Sequence, residues 1–172
     1  MTVGVLAIIF VVLLAVTADQ RNAAYSAATT QSKQETYKIA TADEILSLVN
    51  QKRGEAGVEP LIVSNELQIS AQWKADDMAN RGYFEHTDPT TTKKNGIDKA
   101  FELTGLFCSY ISENIHYGEG EYITSYNTVK AWMESKSHKD ALLDSKYSYT
   151  GIGVAADNSG KVYQVQQFCQ KA

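Results

Sequence analysis

Apolar positions along this chain change their spacing several times, and each change marks an element. Thr41-Ala42-Asp43-Glu44 forms a capping box, in which the Thr oxygen accepts a backbone N–H and the Glu reaches back. Ile45, Leu48 and Val49 then share one helical face, and Gly54 and Gly57 end the element. Pro60-Leu61 opens an extended segment. A second helix starts near Asn65 with Gln68 as its reciprocal cap. Leu67, Ala71, Lys74 and Met78 recur at helical spacing, with Ile69 and Trp73 on an adjoining stripe, until Arg81-Gly82 stops it. Tyr83 to Lys94 is a polar loop that carries His86, and a short helix covers Ile97 to Leu103. Cys108 to Tyr117 reads as a strand between Gly105 and Gly118. Glu121 to Ser135 is helical, with Tyr122, Tyr126, Val129 and Trp132/Met133 facing inward, and Ser137 to Leu143 adds a short helical turn. Tyr149 to Ala156 and Lys161 to Phe168 form a hairpin around Asp157-Asn158-Ser159-Gly160. Helices at both ends of a small antiparallel sheet predict a layered α+β sandwich.

The N-terminus obeys a different pattern. Met1 to Ala18 carries no charged side chain, and Val3 to Val16 is almost wholly apolar. As a helix that run reaches about 21 Å at ~1.5 Å per residue, short of the ~30 Å hydrocarbon core. The length suits a signal peptide over 1–18, with Val16-Thr17-Ala18 offering a small residue at the cut. The missing Lys or Arg before it leaves an uncleaved membrane anchor as the alternative, and the chain would touch a membrane only through this segment. Residues 19–40 are rich in Ala, Ser, Thr, Gln and Asn and read as a flexible linker. One domain over 41–172 remains, in keeping with 172 residues of which 44% are hydrophobic. A formal charge of −4 gives no electrostatic footprint for nucleic acid. Export permits a disulfide between Cys108 and Cys169, and closing so long a loop stabilises by roughly 4 kcal/mol in the chain-entropy model. Two buried free thiols are the other reading, and two cysteines are too few for a zinc site of cysteines alone.

Three stretches then line up in order. Ala71-Gln-Trp-Lys-Ala-Asp-Asp-Met-Ala79 leads into Gly82-Tyr-Phe-Glu-His-Thr-Asp-Pro89. Ser112-Glu-Asn-Ile-His-Tyr-Gly118 follows. Ala131-Trp-Met-Glu-Ser-Lys-Ser-His138 runs on through Ala141-Leu-Leu143 to Gly151-Ile-Gly-Val154, and Val165 to Phe168 closes the pattern. From about Thr41 to Phe168 the chain resembles the CAP superfamily, also called SCP domains, which includes cysteine-rich secretory proteins, insect venom antigen 5 and plant pathogenesis-related group-1 proteins. The likeness is closer to bacterial-type, cysteine-poor members. It implies a three-layer α-β-α sandwich with a small, mainly antiparallel central sheet, a secreted, extracellular protein, and a surface cleft gathering two His and two acidic residues. His86, Glu113 and His138 match three of these. Glu134 is the candidate for the fourth, although it lies two places after Trp132 rather than the three expected of the animal proteins. Ser137-His-Lys-Asp140 replaces the animal members' Gly-His-Tyr-Thr-Gln type of signature.

Two neutral imidazoles, His86 and His138, suit a divalent metal such as Zn²⁺, with a carboxylate completing or supporting the site. If one helix runs through both, Glu134 and His138 lie four apart on one face, as ligand and orienter. Without a ligand, Glu113 can simply hydrogen-bond both imidazoles and tie loop to helix. A metal-assisted, protease-like hydrolase is the enzymatic alternative, but neither His-Glu-x-x-His nor Gly-x-Ser-x-Gly is present, and Ser112 and Ser137 beside Glu113 and His138 do not by themselves make a triad. Association of some eukaryotic members with lipid or sterol binding would require an apolar pocket, for which Phe101, Leu106 and Phe107 are candidates. A protein-interaction or adhesion module would use Tyr110, Tyr117, Tyr122 and Tyr126 as a recognition groove, unless they belong to the core. His116 follows Glu113 by three, which turns it to the opposite strand face and away from the cluster. Asp76-Asp77 reads as the solvated side of a helix, and Lys93-Lys94 is too short for a basic patch. The reading is an exported binding module for an extracellular ligand.

Overall fold

The computed structural model describes residues 17–21, 36–90, 98 and 102–171. In chain order the domain comprises α1 (Ala42–Glu55), β1 (Ile62–Val63), α2 (Asn65–Arg81), β2 (Cys108–Gly118), a 3₁₀ turn (Gly120–Ile123), α3 (Ser125–Glu134), α4 (Lys136–Leu143), β3 (Tyr149–Ala156) and β4 (Val162–Lys171). The chain divides into Met1–Thr36 and Tyr37–Ala172. In the first unit, residues 18–21 form one helical turn capped by Thr17, whose Oγ1 accepts from Gln20 N–H at 3.3 Å. The signal-peptide segment 1–18, apart from its last two residues, lies outside the described residues. So do Lys93, Lys94, Phe101 and most of the helix expected over Ile97 to Leu103, of which Asp98, Glu102 and Leu103 are helical. The segment expected as linker enters the domain before its end. Ala40 is buried, and its N–H donates to Ile123 O at 2.8 Å.

Thr41 caps α1 as expected, accepting from Glu44 N–H at 3.3 Å. The other half of the box is rerouted. Thr41 N–H donates to Ser125 Oγ at 3.2 Å, and the Glu44 carboxylate accepts from Ser125 and pairs with Lys38. Gln68 likewise does not cap α2. The Gly82 stop is as read, with φ +68° at the helix end.

The sheet has the order β1-β3-β4-β2, parallel between β1 and β3 and antiparallel elsewhere. Helix α2 covers one face, over Ile115, Tyr163 and Val165. Helices α1, α3 and α4 cover the other, over Ile152 and Phe168, with Trp132 fully buried among them. Gly151 and Gly153 let α2 lie directly on β3. A Cβ on Gly151 would stand 2.1 Å from Leu67 C, and one on Gly153 the same distance from Ala71 O. The close approach lets two side-chain amides finish the edge of β3. Strand β1 pairs only with Tyr149 and Thr150. Beyond it, Gln68 exchanges two hydrogen bonds with Ile152 (2.6 and 3.1 Å) and Gln72 two with Val154 (2.9 and 3.2 Å). Four helical residues rise about 6 Å and two strand residues about 6.6 Å, so i,i+4 on the helix meets i,i+2 on the strand.

Arg53 is buried and donates to four carbonyls: Glu59 at 2.7 Å, Leu142 at 2.7 Å, Asp144 at 3.1 Å and Tyr147 at 3.0 Å. Cys108 and Cys169 form a disulfide joining β2 to β4. Tyr122 and Tyr126 are exposed, not inward. The helix expected from Glu121 is broken at Thr124, which is extended (φ −82°, ψ 151°), and the 3₁₀ turn before it resets the phase of the apolar face.

Candidate functional site

Strand β2 is the sheet edge around which the predicted residues gather. Glu113 stands opposite Gln167 on β4, and the buried Gln167 Nε2 donates to Glu113 Oε2 at 2.9 Å. The other carboxylate oxygen meets His86 Nδ1 at 3.0 Å. The Glu113 side chain is 6% exposed and the imidazole 51%, so a buried carboxylate holds a ring that reaches solvent. The loop carrying His86 is closed by Arg81, which bridges Asp77 and Asp88, each at 2.9 Å. Asp77 also accepts from Tyr83 Oη at 2.5 Å, so it is part of this clamp and not a solvated helix residue. Beneath lies Lys74, fully buried, with Nζ 3.1 Å from Tyr83 Oη. Burial pulls its ammonium below the ordinary range, and the Glu113 carboxylate is the main charge opposing that shift.

The opposite face of β2 carries the second half. His116 stands opposite Gln164, as the strand alternation requires. With its NH₂ turned to the strand, the Gln164 amide donates to the carbonyls of His116 and Val162 at 3.0 and 3.2 Å and to His116 Nδ1 at 3.1 Å. The reverse orientation would set its oxygen against those two carbonyl oxygens. Burial pushes the His116 imidazole below its usual range. His138, on α4, is placed by its backbone, whose carbonyl accepts from Asn114 Nδ2 at 3.0 Å. Its imidazole is pushed down by burial and then by the charges of His86 and His116. His116 and His138 line one pocket of about 260 Å³ with Phe84, Tyr117, Trp132 and Ser135. His116, set aside in the sequence reading, thus shares a pocket with His138, because the site wraps the sheet edge instead of keeping to one face.

Glu134 lies elsewhere. One helix does not run through Glu134 and His138: Ser135 ends α3 and begins α4 in extended conformation (φ −92°, ψ 123°). Glu134 is turned onto a separate groove beside Leu48 and Met133, with Lys130 at 3.9 Å. Ser135, three places after Trp132, is the residue that reaches the His138 pocket. Among the described residues no three His, Cys, Asp or Glu side chains converge as a ready metal cage. His86, His138, Glu113 and His116 come together around one strand edge, and Glu134 does not join them. The buried glutamines Gln164 and Gln167 were not foreseen, since hydropathy scores glutamine as a surface residue, whereas Lys74 is buried with Leu67, Ala71 and Met78, the residues whose helical spacing it shares.

The family model described as CAP, the cysteine-rich secretory protein family, matches residues 46–168. The chain belongs to the CAP family. Over 159 residues, 90% of this chain, it is 30% identical to uncharacterized protein YkwD of Bacillus subtilis (strain 168). It spans 58% of that protein's length. Among solved structures, the CAP fold here is similar to an outer surface protein from Borrelia burgdorferi. The TM-score is 0.66 at 18% identity, over 79% of this chain and 98% of that one. It is also similar to an extracellular protein containing a SCP domain from Bacillus anthracis str. Ames, at a TM-score of 0.63 and 21% identity, over 76% of this chain and 40% of that one. At such identities the likeness shows the fold. Among the described residues of the CAP chain, no helix is long and apolar enough to cross a membrane.

Proposed function

We propose that this CAP domain is an extracellular binding module whose ligand seats at the outer edge of β2, between His86 and His138. The observation that carries the reading is the half-exposed His86 imidazole fixed through Nδ1 by a buried, doubly held Glu113. With Nδ1 engaged, Nε2 is the nitrogen left for a ligand. Orienting a ligating imidazole through a carboxylate is how many metal sites are supported. Export through residues 1–18 accompanies this reading, supported by the extracellular and outer-surface proteins that share the fold. N-terminal sequencing of the secreted chain tests it, and a mature protein that still begins at Met1 overturns it.

The residues fit an open metal site with two protein ligands, not a closed structural one. His86 and His138 would hold Zn²⁺, and Glu113 would orient His86. Zinc here would bring positive charge and open coordination positions for solvent or a further ligand. Calorimetric titration of the full chain with Zn²⁺ is the test: binding weakened in both His86→Ala and His138→Ala supports the reading. No binding, or binding unchanged in both variants, refutes it. No observation favours hydrolysis, for the Ser137 hydroxyl meets Ser135 Oγ at 3.4 Å rather than an imidazole. A protein-interaction role is favoured by one finding, the exposure of Tyr110, Tyr117, Tyr122 and Tyr126.

A further inference from the structure

His86 lies between α2 and β2, outside both elements, and the ties of its neighbours help to decide where the ring stands. Three places before it, Tyr83 is gripped by α2. The Tyr83 hydroxyl donates to Asp77 Oδ2 at 2.5 Å, and with its one proton committed there it accepts from Lys74 Nζ at 3.1 Å. Two cations of the same helix stand over its ring, Lys74 Nζ at 4.7 Å and Arg81 Cζ at 5.0 Å from the centroid. Burial and the Asp77 carboxylate push the phenol above its usual range, so it keeps the proton that it donates. Two places after His86, Asp88 is tied to α2 by Arg81 at 2.9 Å, and its carboxylate also accepts from Thr90 N–H at 2.8 Å. Asp77 joins the two ties, because it accepts from both Tyr83 and Arg81.

The residues between these ties meet β2. Phe84 packs edge to face on Tyr117, with ring centres 4.6 Å apart, and His86 reaches Glu113 at 3.0 Å. The stretch is thus anchored on α2 at 83 and 88 and touches β2 at 84 and 86. The imidazole is half-exposed, so its bond to Glu113 competes with water and is weak as a sole restraint. A ring whose backbone is already held is one that a ligand does not have to order. We propose that Tyr83 is a positioning residue for His86, and that its hydroxyl, held between Asp77 and Lys74, keeps the imidazole on Glu113. The proposal rests on the binding-module reading for the role of His86 and adds a residue on which the site depends without contact to its ligand.

The test reads the tautomer of His86 in the metal-free full chain, from the ¹⁵N shifts of its ring at about pH 8.5, where imidazoles are neutral. Against Glu113 the proton belongs on Nδ1, because a carboxylate only accepts, whereas a ring released into water moves toward the Nε2–H form. The wild type should show the Nδ1–H form. Tyr83→Phe removes one oxygen and keeps the ring; it should move His86 toward Nε2–H and weaken zinc binding about tenfold. Asp77→Ala removes the acceptor of the same hydroxyl, should act in the same direction, and decides the matter where Tyr83→Phe does not fold. Ile152→Val is the control for stability alone. It trims the core on the opposite face of the sheet and should lower the thermal midpoint with the His86 tautomer unmoved. A wild type in the Nε2–H form, or folded variants that keep the wild-type tautomer, overturns the proposal. Zinc bound equally by the wild type and Tyr83→Phe, with the tautomer unmoved, overturns it alone and leaves the metal reading standing. A tautomer that moves in Tyr83→Phe, while the wild type binds no zinc, supports the positioning role and removes the metal.

Discussion

Replacing Gly153 with Ala is the sharpest perturbation of the contact on which the fold is built. The new Cβ would sit 2.1 Å from Ala71 O, 2.3 Å from Ala71 C and 2.6 Å from Gln72 N, against 3.4 Å for the near limit of ordinary contact. All three atoms are backbone of α2, so no side chain can rotate away. The helix has to withdraw by more than about 1 Å, and overpacking of this kind costs ~1–3 kcal/mol. Withdrawal also stretches the Gln72 bonds to Val154, now 2.9 and 3.2 Å, each contributing about 0.5–1.5 kcal/mol net. Together these give a loss of about 2–6 kcal/mol. For a domain of this size that corresponds to a Tm lowered by roughly 6–25 °C. Gly54→Ala is the control. Gly54 lies in α1 with nothing within 4 Å of a built Cβ, and removing its backbone freedom should stabilise by about 0.5–1 kcal/mol. Thermal unfolding followed by far-ultraviolet circular dichroism reads both. A Gly153→Ala protein that melts with the wild type would refute the close approach of α2 to β3.

Three further outcomes follow from the same structure. Arg53→Met should cost at least about 3 kcal/mol by denaturant titration, because it removes a buried cation that donates to four carbonyls, and Arg53→Lys should recover only part of this. Reducing the Cys108–Cys169 bridge should lower stability by about 4 kcal/mol, from the 61-residue separation of its ends; an unchanged denaturant midpoint with reductant would contradict that. In metal-free protein, His116 and His138 have folded-state affinities for protons below the unfolded value of about 6.5, so the unfolded chain takes up protons first. Their contribution to stability should be complete above that pH and fall as pH drops from it toward their lowered folded values. The denaturant midpoint should therefore be higher at about pH 7.5 than at about pH 5, with a smaller difference in His138→Gln.

Much of the architecture is legible in the sequence because it rests on local signals. The Thr41 cap, the left-handed Gly82, the β2 strand and the Asp157–Gly160 hairpin turn each follow from a few adjacent residues. What escapes is chemistry between distant positions. Gln68 has the spacing of a cap, yet it and Gln72 serve strand β3, more than eighty residues away. Glu44 likewise gives up its capping role once Ser125 is folded against it. Tyr122 and Tyr126 fit an inward stripe only if one helix continues from Glu121, and Thr124 interrupts that helix. The same failure of continuity at Ser135 separates Glu134 from His138. Strand parity correctly sent Glu113 and His116 to opposite faces. A site that wraps the edge of a sheet makes that parity a poor guide to membership, and no periodicity reveals that three buried glutamines of β4 take part in the polar framework beneath it.

The account stands on His86 and His138 belonging to one site across the β2 edge, and the titration of the three imidazoles by NMR tests that directly. In the metal-free wild type, His138 should titrate below the ordinary histidine range, and His86→Ala should raise its midpoint, because the charge of His86 is one cause of the depression. A His138 midpoint that does not move when His86 is removed would place the two imidazoles on separate surfaces and contradict the shared cleft.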